Sequence, residues 1–142
     1  MDAAARVRVP LLVLRSGVFI VMLMWTLDKF VRPGHAAGVF KKFYQLHLGG
    51  PGTFYALGAL ELVLLALFVT GTAKRASYGA VLLLHAVSTL SAYRQYLQPF
   101  DNLLFFAAWP MLAACIALYL LRDLDTLWTV PKRRPAPTVS NA

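Results

Sequence analysis

Four apolar runs, at 9–27, 54–71, 77–93 and 103–121, follow one another with short polar interruptions. No other feature constrains the chain so tightly, because each run reaches the roughly 17 to 25 residues that a helix needs to cross a bilayer. A segment in hydrocarbon must satisfy its own backbone hydrogen bonds, and four strands cannot close a barrel, so each run is expected to be helical. The stretch at 28–53 is too short for a soluble domain. The expectation is an all-α, integral membrane four-helix bundle forming one domain over 1–130, followed by a disordered basic tail at 131–142. Composition agrees: 59% of the 142 residues are hydrophobic and 14% charged, outside the usual range of soluble domains.

The run that follows Arg6 and Arg8 is too long for the apolar core of a signal peptide and contains Arg15, so it is expected to remain as the first helix. Cleavage after the small residues Ala36 and Ala37 is the lesser alternative. A formal net charge of +8 raises nucleic acid as a partner, but the basic residues lie at helix ends and in short loops, not in one stripe, which excludes it. They fit the positive-inside rule. Arg6, Arg8, Lys74, Arg75, Arg122, Lys132, Arg133 and Arg134 oppose Lys29, Arg32, Lys41, Lys42 and Arg94, which places both termini in the cytoplasm.

Helix one is expected to start near Val9, since Pro10 suits a first turn, and to end near Phe30, ahead of Pro33 and Gly34. The loop HAAGVFKKFYQLHLGGPG leaves two readings open, a short interfacial helix or an ordered loop. Helix two opens with Ala and Gly, which allow close helix approach. Helix three carries His85, Ser88 and Thr89 at spacings of three and four, on one predicted face. Pro110, inside helix four, predicts a kink.

Glu61 is the most informative residue. A carboxylate among apolar residues is costly in a membrane and should face protein or water with a partner. Lys29 or Arg94 is expected to neutralise it, with Asp28 in the same polar cluster; the alternative is that Asp28 and Lys29 mark the membrane boundary beside Trp25. Arg15 has two readings as well, snorkelling to cytoplasmic headgroups or binding an anionic group such as a headgroup or a quinone carbonyl. His85 is a candidate for helix packing or for a quinone carbonyl. His35 and His47 offer no second haem ligand at its depth and no metal set. Cys115 reads as a small apolar residue, and a single Cys excludes a disulfide within the chain.

The segments LRSGVFIVMLMWTLDKF and GALELVLLALFVTGTAKR, with a Gly/Pro loop between them and a third helix of small and polar residues, resemble the DoxX-like membrane proteins, relatives of the surfeit-locus cargo receptors. The resemblance covers most of 11–121. It implies a bundle in a bacterial inner membrane, in one branch similar to the small subunit of a thiosulfate:quinone oxidoreductase, in others to accessory proteins of oxidative-stress complexes or of methylamine dehydrogenase maturation. Arg15, Asp28, Lys29 and Glu61 fall on the family's polar positions, whereas His85 and Arg94 come from their own locations. The lone Cys115 departs from the thiol-active branch. Two functions compete: a non-catalytic accessory or membrane-anchor subunit of a redox-linked complex, and a quinone-binding subunit. Lipid surrounds the chain and a partner subunit is expected in both, the loop at 32–47 serving as partner contact in the non-catalytic reading; quinone is the cofactor candidate, and homo-oligomerisation stays open. No redox-cofactor motif is present, so catalysis by this chain alone is not expected.

Overall fold

A computed structural model of the chain describes residues 3–130, in which every regular element is helical. Helix α1 spans Ala3–Val31, α2 Pro33–Val39, α3 Pro51–Val69, α4 Lys74–Ser91, α5 Tyr93–Tyr96 and α6 Ala108–Leu120. A π-helical turn, Phe40–Tyr44, continues α2, and a 3-10 segment, Leu103–Ala107, runs into α6. The expected disordered tail lies outside the described residues.

Among the described residues, three helical stretches are long and apolar enough to cross a membrane: Ala4–Val31, Pro51–Val69 and Leu103–Leu120, with only 17%, 22% and 11% of their apolar windows buried. So much outward apolar surface is what a bilayer would cover. Helix α4, the fourth expected span, is not among these three. It begins with Lys74 and Arg75 and carries His85, Ser88 and Thr89. Helix α1 packs on α3 and α6, and α4 packs on α3 and α6, so the four close into a ring.

One proline expectation is corrected. Helix α1 starts at least six residues before Val9, so that Pro10 lies inside it. Its first turns are largely exposed, and water can satisfy the carbonyl that a proline leaves unbonded. Pro110 sits in the first turn of α6, just after the 3-10 segment gives way to α-helix. The change from 3-10 to α geometry falls within a turn of the N–H that this proline lacks. Pro33 both stops α1 and starts α2, and of the two readings of the following loop the helical one holds through Tyr44. Gln45, at φ 57°, ends that run in the left-handed region.

The core sits at one end of the ring, where Leu11, Val18, Phe68, Tyr78, Val81, Cys115 and Leu118 are buried together. Rings gather at the other end: Phe40 meets Phe54 edge-on at 5.6 Å, Phe43 lies 5.9 Å from Phe105, and Tyr96 lies 5.4 Å from Phe106. Between the ends, Gly58 of α3 receives the Phe30 ring so closely that a Cβ would lie 2.6 Å from its Cε2. That close approach brings α1 to within side-chain reach of Glu61, one turn further along α3.

Candidate functional site

Residues three apart on a helix share a face, and α1 presents Thr26 and Lys29 together to α3. Lys29 Nζ lies 2.8 Å from Glu61 Oε2, and Thr26 Oγ1 donates to the same oxygen at 2.9 Å. The Thr26 hydroxyl also lies 2.8 Å from the Met22 carbonyl oxygen. Its single proton is therefore shared between two acceptors, and the ammonium is the principal counter-charge of Glu61. Lys29 is buried and the Glu61 side chain is 22% exposed. Of the two predicted partners Lys29 is the real one. Arg94 is exposed, donates to the neighbouring Tyr93 hydroxyl at 3.1 Å and lies against that ring. It lies beyond the end of α4, where water solvates its charge and no burial forces it inward.

Asp28 is one residue from Lys29, so it points about 100° away around α1. It faces α2. Its Oδ1 accepts from Arg32 Nε at 2.7 Å, and its Oδ2 lies 2.5 Å from His35 Nδ1, whose ring stacks on Trp25 at 6.4 Å. The expected single cluster of Asp28, Lys29 and Glu61 is thus two adjacent ones, one joining α1 to α3 and the other pinning α2 to the end of α1. A cavity of about 20 Å³ lies between them, lined by Trp25, Asp28, Lys29, Ala36, Val39 and Phe40. It has room for about one water molecule.

Arg15 forms a separate cluster. It is 14 residues before Lys29, a rise of roughly 21 Å along α1. The snorkelling expectation is overturned, because Arg15 is 1% exposed and its Nη1 meets Asp125 Oδ2 at 2.9 Å. Tyr78 Oη donates to that oxygen at 2.7 Å, and Arg15 Nη2 donates to the Leu127 carbonyl at 2.6 Å. Lys74 Nζ donates to the Asp125 carbonyl, and the Val130 amide to the Thr70 carbonyl at 2.9 Å. The chain beyond α6 therefore folds back across the α3–α4 turn. Gly71 makes room for it: at φ 63° it takes a backbone conformation suited to glycine, and a Cβ there would lie 2.5 Å from Thr129 Cγ2.

His85 is buried on α4 with Nε2 3.1 Å from the Ala108 carbonyl oxygen, the packing role the sequence offered. Thr89 shares its buried face, but Ser88 is exposed, which corrects the predicted three-residue face. Sequence reasoning missed Thr26, Arg32, His35, Tyr78 and Asp125. For Asp125 a signal existed: the chain has six acids, and few of them can reach the level of Arg15. Among the described residues no group of three or more His, Cys, Asp or Glu side chains is arranged to hold a metal ion. The chain matches no protein-family model, and neither a curated protein nor a solved structure is detectably similar to it.

Proposed function

We propose that this chain is a DoxX-like bundle of four membrane-spanning helices, with α4 as the fourth span and both termini cytoplasmic, acting as a non-catalytic accessory or anchor subunit of a redox-linked complex in a bacterial inner membrane. One observation carries the non-catalytic reading: the charges of Glu61 and Arg15 are each closed by a partner from the same chain, at 2.8 and 2.9 Å. Groups so engaged serve helix packing. A quinone ring would have to displace Lys29 or enlarge the adjacent cavity of about 20 Å³, far below the roughly 300 Å³ at which small-molecule sites begin.

The second reading, a quinone-binding subunit, is favoured by that cavity's lining. Trp25 and Phe40 supply aromatic faces, and Asp28 and Lys29 supply a carboxylate and an ammonium, the groups that would hold a quinone and move its protons. The experiment that separates the readings is purification in mild detergent, with extraction and mass spectrometry of any retained quinone, for wild type and Glu61→Gln. The anchor role predicts no retained quinone in either and a less stable variant. Stoichiometric quinone in wild type that is lost in Glu61→Gln would establish the second.

A further inference from the structure

A groove of about 390 Å³ opens between the start of α4 and the end of α6, lined by Ala73, Lys74, Arg75, Ala76, Arg122 and Asp123. Its volume lies within the range of small-molecule sites. Three cations and one carboxylate line it, a net positive lining that favours an entering anion. The geometry of the cations is partly fixed. The Arg122 guanidinium lies 4.8 Å from the Tyr119 ring centre and donates to the Tyr119 carbonyl at 2.6 Å, while Lys74 is anchored on the Asp125 carbonyl. Arg75 is exposed.

The surroundings say what kind of anion fits. Leu120, Leu121 and Leu124, which flank Arg122 in sequence, are all exposed, as they would be beside acyl chains. Ala73 and Ala76 add only small side chains to the lining. Guanidinium groups donate to phosphate oxygens in a matched, two-pronged geometry. We propose that the groove binds the phosphodiester of a phospholipid of net negative charge, whose headgroup carries no ammonium to be repelled by the basic lining, with Arg75 and Arg122 as its principal donors. The site rests on the membrane placement proposed above and is independent of the redox reading, since quinone found or absent leaves it unchanged.

The test is native mass spectrometry of the full chain in detergent, titrated with phosphatidylglycerol or phosphatidylcholine. Wild type should prefer phosphatidylglycerol, and the preference should fall about fivefold for each arginine removed in Arg75→Gln and in Arg75→Gln/Arg122→Gln. Lys41→Gln/Lys42→Gln, which removes two exposed charges outside the groove, should leave it intact. Arg75→Gln alone covers the case in which loss of the Arg122 stack disturbs folding. Competition by millimolar inorganic phosphate would support a site that reads the phosphate group itself, and lack of competition one that needs the lipid. Equal binding of the two lipids, or equal loss in the Lys41/Lys42 variant, overturns the proposal.

Discussion

A guanidinium that is 1% exposed needs from its environment the hydrogen bonds that water no longer supplies. For Arg15 that supply is a carboxylate and two backbone carbonyls, those of Leu127 and Trp128. Asp125 in turn accepts from Arg15 and Tyr78 on Oδ2, and its buried Oδ1 has no hydrogen-bond partner among the described residues. Nearly all of the pair's compensation therefore runs through one oxygen. Asp125→Asn removes the counter-charge and leaves the cation buried, which should cost about 3 to 5 kcal/mol. Arg15→Met/Asp125→Leu removes both charges and should be the more stable of the two variants. Denaturation midpoints in detergent check this, and a single variant as stable as wild type would show that the pair does not hold the bundle. The sequence made Arg15 conspicuous by its apolar neighbours. It hid Asp125, which lies among polar residues after α6 and gains its meaning only from the fold-back of 121–130.

At the level of elements, α2 is the piece held least by burial. Ala36 is its sole buried residue. What ties it to α1 is Asp28, through Arg32 and His35, whose side chains are 65% and 46% exposed. Contacts so open to water are worth about 1 kcal/mol together. Asp28→Asn should therefore raise amide exchange across 33–44 roughly fivefold, while exchange in α3 near Glu61 stays at its wild-type rate, because Lys29 and Thr26 belong to the other face of α1. Hydrogen-exchange mass spectrometry reads both at once, and a change spread evenly over the chain would contradict a local latch. Helix existence was legible from the length of the apolar runs and from Pro33 and Gly34. Helix starts were not, since a proline at a first turn and a proline tolerated inside a helix give the same local pattern, and tertiary packing decides between them.

For the whole molecule, the contacts sort into two ends. Arg15, the 70–74 turn and Asp125 meet at one, and Phe43, Phe54, Tyr96 and Phe105 lie toward the other. Helix α4 runs from the first end to the second with Ser77, Tyr78, His85 and Thr89 buried inside the ring, the shelter that the proposed fourth crossing requires. The count of crossings has a consequence that composition alone leaves open. Three spans would put residues near 4 and near 140 on opposite sides of the membrane, whereas four put them on the same side. Single cysteines introduced as Ala4→Cys, Lys42→Cys or Ser140→Cys in a Cys115→Ala background separate these cases. Cys115 is buried, and its replacement by alanine removes the competing thiol at the cost of a small cavity. With four spans and the positive-inside orientation, a membrane-impermeant maleimide applied to intact cells should label Lys42→Cys and spare the other two until the membrane is permeabilised. Labelling of Ala4→Cys and Ser140→Cys with Lys42→Cys spared would invert the orientation and keep the four crossings. Labelling of only one of Ala4→Cys and Ser140→Cys would remove α4 from the membrane, and with it the sheltered position of His85.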